Sequence, residues 1–135
     1  MKTIRNNVFE TNSSSMHSIS LSNKENFTPD ISGVKLTKEK AFITGNTEFG
    51  WGYEEYNDAG SKIIYLLLDN YMTESEMTEY LKKIFKVNHI EYEHYTDGYI
   101  DHQSVGTSGE ISNDDKLFNF IFNKNSVLVI DNDNH

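Results

Sequence analysis

Alternating or continuous apolar residues predict β-strands in three places. Residues 17–21 alternate polar and apolar side chains, the period-2 pattern of a strand with one buried face. Residues 41–44 are a short, mostly apolar run that stops at Gly45. Residues 126–130 carry aliphatic side chains on both faces, which is typical of a central strand covered on two sides.

Apolar residues at helical spacing predict helices in the middle of the chain and near its end. Over residues 59–71 they form a wide stripe, so this helix is expected to be well buried. A second helix should begin at Thr73, because Thr73 and Glu76 have the spacing of a capping box. Residues 114–122 fit both an alternating and a helical pattern, and we favour a short helix.

The dipeptide Asp97-Gly98 predicts a β-hairpin. Its residues tolerate the positive φ of a type I′ turn, and it separates two strand-like stretches, residues 89–96 and 99–103. Strand, helix, helix, hairpin, helix, strand is the order of an α+β fold. With one proline and no internal repeat, residues 1–135 are expected to form a small single α+β domain, mainly an antiparallel sheet with two to three helices.

The register of this hairpin would place histidine beside carboxylate on both of its faces. His94 would face Asp101, and Glu93 would face His102, because adjacent pairs alternate sides. A carboxylate fixes the tautomer of a histidine and stabilises the imidazolium, so either pair is half of a general-base arrangement. The alternative is an ordinary cross-strand charge pair worth about 0.2–1 kcal/mol.

The charge balance restricts the classes of partner. Twelve Lys and Arg against 21 Asp and Glu give a net charge of −9, which repels phosphate backbones. Duplex nucleic acid is therefore disfavoured as a direct partner, and a basic protein surface fits better.

The chain has no cysteine, which excludes disulfides, Cys-ligated zinc and thiol nucleophiles. No apolar run approaches the ~20 residues of a membrane span, so we expect a cytoplasmic protein without a membrane partner. The oligomeric state stays open.

The N-terminal segment concentrates groups that bind anions. Ser hydroxyls and turn amides donate to phosphate or sugar oxygens, and a cationic side chain adds charge. The candidate ligand-binding residues are Arg5, Asn12, Ser13, Ser14, Ser15 and, further along the chain, Trp51. His17 is a candidate base for a seryl nucleophile. The alternative is a turn rich in Asn and Ser that enters a strand.

Two further features suggest binding chemistry. Trp51 stands between glycines, so it can stack on a planar ligand or pack on a partner, with packing at the edge of the core as the alternative. Glu54 and Glu55 beside it oppose a polyphosphate. Asp131 and Asp133 follow the last predicted strand and supply hard oxygen ligands for a divalent metal such as Mg²⁺ or Mn²⁺, with a solvated tail as the alternative.

Residues 8–18 read Val-Phe-Glu-Thr-Asn-Ser-Ser-Ser-Met-His-Ser, and this motif resembles the opening of a family of small uncharacterised proteins encoded by bacteriophages and bacterial mobile elements. Those proteins open with Val-Phe-Glu-Thr-Asn-Ser-Ser-Ser, a variable residue and His-Ser, and residues 8–18 match this motif. The resemblance extends to residues 49–52, 99–104 and 120–134. It implies a phage context and favours His102 beside Asp101 as the base. Met16 replaces the usual Thr or Ser of the family, which argues against a catalytic hydroxyl at that position.

Three functional hypotheses follow. The first is a phage-encoded accessory protein that binds a host or defence-system protein, or a small ligand that bears phosphate. The second is a small hydrolase or transferase, with the Ser-rich segment binding phosphate and His102 and Asp101 forming the general base. It requires the hairpin and the N-terminal loop to meet in one pocket. The third is a virion or structural component.

Overall fold

The structure, a computed structural model, describes residues 17–20, 27–101 and 111–130. In this part of the chain, five strands are followed by two helices, two further strands, a third helix and a last strand. The strands are β1 (His17–Ser20), β2 (Val34–Leu36), β3 (Lys40–Ile43), β4 (Glu48–Phe49), β5 (Glu54–Tyr56), β6 (His89–Tyr92), β7 (Tyr99–Ile100) and β8 (Val127–Ile130). The helices are α1 (Ala59–Leu68), α2 (Glu74–Phe85) and α3 (Asp114–Phe122), with a 3₁₀ helix at Tyr95–Asp97. These helices, together with antiparallel strand pairs, confirm the predicted α+β class.

The described strands pair in three sheets. β8 lies between β1 and β5 and is antiparallel to both. β3 lies between β2 and β6 and is antiparallel to β2 but parallel to β6. β4 and β7 form a parallel pair. The strands predicted at 17–21, 41–44 and 126–130 are therefore confirmed as β1, β3 and β8, and β8 has the predicted central position.

The hairpin predicted around Asp97-Gly98 is wrong. A 3₁₀ helix covers Tyr95–Asp97, Gly98 has a φ of −91°, and β6 and β7 pair with different strands, β3 and β4. Gly98 is required by packing, because a Cβ there would lie 1.9 Å from the carbonyl oxygen of Thr47. The glycine of the Asp97-Gly98 dipeptide is therefore explained by the close approach of the Thr47 backbone and not by a hairpin turn.

Helix α1 is buried on nearly all sides, as its apolar stripe predicts. The Asp58 carboxylate caps it by accepting a hydrogen bond of 2.8 Å from the amide of Ser61. Gly60 in the first turn lets the helix contact the backbone after β3, since a Cβ there would lie 1.8 Å from the carbonyl oxygen of Thr44. The helix ends before the predicted residue 71, where Asn70 adopts a left-handed φ of 59°.

Helices α2 and α3 begin where the sequence predicts. Thr73 and Glu76 form the capping box: the Thr73 hydroxyl accepts from the Glu76 amide at 3.1 Å, and the Glu76 carboxylate accepts from the Thr73 amide at 3.0 Å. The side chain of Asn113 caps α3 by accepting from the amide of Lys116 at 2.9 Å. None of the described helices is long and apolar enough to cross a bilayer.

A lysine is buried inside this core. Lys62 of α1 has an exposed fraction of 0%. Its Nζ donates to the carbonyl oxygens of Ser126 at 2.8 Å and Asn123 at 3.3 Å, and it lies 5.4 Å from the ring centroid of Phe120. Burial lowers the pKa of Lys62 to about 8. Lys62 therefore ties α1 to the turn that connects α3 with β8.

Candidate functional site

The turn between β4 and β5 is held by one carboxylate. Glu54 Oε1 accepts hydrogen bonds from the Gly50 amide at 3.1 Å and the Tyr56 hydroxyl at 3.0 Å. Its Oε2 accepts from the amide of Trp51 at 3.1 Å. Gly50 has a φ of 101°, which a residue with a side chain rarely adopts. The backbone that carries Trp51 is therefore fixed from within the turn.

The same turn is anchored to the core on its inner side. Phe49 of β4 is fully buried and packs edge to face on Tyr65 of α1, with ring centroids 5.3 Å apart. It contacts Tyr56 of β5 in the same manner at 5.1 Å. Burial and the nearby Glu54 raise the pKa of Tyr56, so its hydroxyl stays protonated and continues to donate. Packing and hydrogen bonds thus present residues 50–53 on a rigid base.

Three large aromatic side chains are exposed on and beside this turn. Trp51 is 68% exposed, Tyr53 59% and Tyr99 of β7 39%. The rings of Trp51 and Tyr99 meet at 61°, with centroids 6.3 Å apart. We call Trp51, Tyr53 and Tyr99 the aromatic surface. Packing of Trp51 at the edge of the core, the alternative considered for it, is not observed.

The residues around the aromatic surface carry negative charge. Glu48 and Glu55 are exposed, and the Tyr53 hydroxyl donates to the Glu55 carboxylate. Residues 48–56 and 99–101 contain no lysine or arginine. This surface therefore opposes an anionic ligand and complements a cationic one.

In the β1–β8–β5 sheet, the first residues of β1 and β5 lie beside the last residue of β8. His17, where β1 begins, pairs with Ile130, where β8 ends. Ile130 in turn pairs with Glu54, where β5 begins. The Asp101 amide, directly after β7, donates to the carbonyl oxygen of Phe49 at 2.8 Å. The described backbone next to the predicted N-terminal, C-terminal and His102 sites thus lies close to the turn that carries Trp51.

Most predicted site residues lie outside the described part of the chain. They are Arg5, Asn12, Ser13, Ser14, Ser15, His102, Asp131 and Asp133, and for His17 the backbone pairing alone is described. Asp101 is half-buried beside the aromatic surface. The ligand, metal and general-base sites built on these residues stay predictions.

The predicted pairing of histidine with carboxylate across a hairpin is wrong, because β6 and β7 are not neighbours in a sheet. His94 and Glu93 follow β6, and Asp101 follows β7. The Glu93 carboxylate accepts instead from the amide of Gly45 at 3.1 Å.

Tyr99 is the contributor to the aromatic surface that the sequence did not reveal. It was expected in a hairpin strand, and its place beside Trp51 depends on the parallel pairing of β7 with β4. No local pattern signals that pairing, because the two strands lie about 50 residues apart and each has two residues. Trp51, in contrast, stood out through its flanking glycines.

Metal binding finds no support within residues 27–101 and 111–130, where no group of three or more His, Asp or Glu side chains is arranged to hold an ion. Comparison of the chain with protein-family models, curated proteins and solved structures finds no match. The proposed function therefore rests on the aromatic surface.

Proposed function

We propose that this chain is a phage-encoded accessory protein that acts by binding a host or defence-system protein through the aromatic surface. The observation that carries the proposal is the exposure of Trp51 and Tyr53 on a turn fixed by Glu54, with Tyr99 of β7 exposed beside them. Trp and Tyr dominate the binding energy of protein interfaces, and they do so most effectively when the backbone beneath them is already ordered. A rigid exposed aromatic cluster fits that role.

The charges favour a protein partner with a basic contact region. Glu48 and Glu55 flank the rings without a lysine or arginine nearby in the sequence of these strands. Carboxylates at the rim steer a cationic surface toward the complex and discriminate against acidic ones. The same carboxylates repel phosphate, so the alternative of a phosphate-bearing ligand fits Trp51 poorly and rests on the N-terminal serines.

The phage context is proposed on the resemblance of residues 8–18 to the family motif. The enzymatic alternative rests on Ser14 and His102, and the virion alternative on self-assembly. Capture of partners from a host lysate distinguishes these two alternatives from the proposed function.

The test is capture of partners from a bacterial host lysate on the immobilised full chain. The wild type is compared with Trp51→Ala and with Leu36→Ala, a matched control because Leu36 is also an exposed apolar residue, at 44%, on the separate strand β2. Truncating a tryptophan at an interface hot spot costs about 2 kcal/mol or more, which weakens binding about 30-fold. We expect one stoichiometric protein to be lost with Trp51→Ala and kept with Leu36→Ala.

Ionic strength provides a second readout. If the acidic rim contributes, binding of that protein weakens as the salt concentration rises, chiefly through a slower association rate. Equal retention by both variants would refute the aromatic surface as the contact. A retained nucleotide without protein would support the ligand or enzyme hypothesis instead, and stable self-association without any captured molecule would support the structural one.

A further inference from the structure

A second surface feature lies at the end of β6. It is an open groove of about 780 Å³. Its walls include Phe42 of β3, Tyr92 of β6 and Tyr95 of the 3₁₀ helix. Three carboxylates also line it, those of Glu74, Glu91 and Glu93. The volume is of the size that encloses a small ligand or a few residues of a peptide.

The aromatic walls of the groove are held in place. Tyr92 and Tyr95 pack edge to face, with centroids 5.8 Å apart and planes at 70°. The Tyr92 hydroxyl is hydrogen-bonded to Thr78 of α2 at 2.7 Å, and the Tyr95 hydroxyl donates to Glu74 Oε1 at 2.6 Å. Burial raises the pKa of Tyr92 to about 12 and also raises the pKa of Tyr95, so both rings stay neutral.

The three carboxylates differ in how far their charge is compensated. Glu91 is paired with Lys40 at 3.3 Å and with His89 at 3.1 Å. Glu93 accepts from the amide of Gly45, and Glu74 accepts from Tyr95. Within the described residues, neither Glu74 nor Glu93 forms an ion pair with a lysine, arginine or histidine. Two carboxylates without an ion-pair partner among the described residues therefore line a groove with aromatic walls, together with the exposed side chain of His94.

We propose that this groove binds a lysine or arginine side chain on an extended basic segment of a partner protein. The aliphatic stem of such a side chain packs against Tyr92 and Tyr95, and its cationic head is attracted by the ring faces. The head also pairs with Glu74 and Glu93, which form no ion pair within the described residues. The site is independent of the aromatic surface and does not rest on the function proposed for it.

The test measures binding of a fluorescein-labelled hexapeptide of alternating arginine and glycine to the full chain by fluorescence anisotropy. The groove variant is Glu74→Gln with Glu93→Gln, since glutamine keeps an oxygen that accepts from Tyr95 and Gly45. The matched control is Glu39→Gln with Glu79→Gln, which removes the same charge from exposed positions outside the groove.

We expect the groove variant to raise the dissociation constant at least tenfold and the control to change it less than twofold. A peptide of alternating alanine and glycine should not bind. Equal weakening by the two double variants would overturn the proposal, because it would assign binding to the overall charge of −9. Absence of saturable binding would overturn it as well. Trp51→Ala should leave this dissociation constant unchanged, so the two proposals fail separately.

Discussion

Replacing Lys62 with methionine should remove a rise in stability with pH that the buried ammonium imposes. Lys62 is fully buried, and its pKa is lowered from 10.5 to about 8, chiefly by loss of solvation. Asp58 and Asp30 oppose this shift but do not cancel it. The unfolded chain therefore binds this proton more tightly than the folded chain does.

The sign and size of the effect follow from proton linkage. Below pH 8 both states are protonated, and the folded state carries the full cost of the buried charge. Between pH 8 and 10.5 the unfolded chain still holds the proton that the folded chain has lost, so the free energy of unfolding rises with pH. At about 1.36 kcal/mol per pKa unit, the whole rise is about 3 kcal/mol. Above pH 10.5 the contribution is constant.

Methionine is a suitable replacement because it has a similar length and no charge. It removes the cost of the buried ammonium, but it also removes the donor to the carbonyl oxygens of Asn123 and Ser126. These two effects oppose each other at pH 7, each amounting to a few kcal/mol at about 1.5–3 kcal/mol per charged hydrogen bond. The dependence on pH is therefore diagnostic, and the stability at a single pH is not.

The assay is urea unfolding followed by far-UV circular dichroism for both proteins at several pH values from 7 to 10.5. Buried tyrosines such as Tyr80 have raised pKa values and destabilise the folded state above pH 10, but they do so equally in both proteins. We expect the stability of the wild type relative to Lys62→Met to increase by about 3 kcal/mol across this range. A difference that stays constant within about 0.5 kcal/mol would refute the reasoning.

Two further changes test local features of the fold by the same unfolding measurement. Thr73→Ala removes the hydroxyl of the α2 capping box and should lower the free energy of unfolding by about 1 kcal/mol. Ser75→Ala in the same exposed turn is the control and should change it by less than about 0.5 kcal/mol. Equal losses of stability in the two variants would contradict the capping role. Gly60→Ala should destabilise the protein by more than about 3 kcal/mol, because the new Cβ would lie 1.8 Å from the carbonyl oxygen of Thr44. Gly52→Ala, with nothing within 4 Å of its Cβ, is the control, and a tolerated Gly60→Ala would show that the helix can move away.

The elements that the sequence predicted are those whose signals are local. The capping box at Thr73 determines where α2 begins from residues three apart, and the aliphatic run of β8 needs two covered faces wherever it is placed. The hairpin failed for the opposite reason. An Asp-Gly dipeptide indicates a position where a side chain is not tolerated, without giving the reason. At Gly98 the reason is the carbonyl oxygen of Thr47, some 50 residues earlier in the chain, which a Cβ would contact.

The buried lysine shows the same limit in the core. Spacing predicted a wide apolar stripe over α1, and a helix buried on nearly all sides must also bury the residue at position 62. What makes a lysine acceptable there is the pair of carbonyl oxygens at Asn123 and Ser126, more than 60 residues away. Periodicity alone could not supply these acceptors, because they arise from the packing of α1 on the turn before β8.

Two neighbouring carboxylates at the aromatic surface have different roles, which the net charge of the chain does not reveal. Glu54 and Glu55 are identical neighbours in the sequence, yet both oxygens of Glu54 accept hydrogen bonds that fix the turn. Glu55 is exposed and accepts a hydrogen bond from the Tyr53 hydroxyl. With three hydrogen bonds accepted out of about four lone-pair positions, the Glu54 carboxylate has little capacity left for a partner. The acidic character of the aromatic surface must therefore come from Glu48 and Glu55, while Glu54 determines the orientation of Trp51.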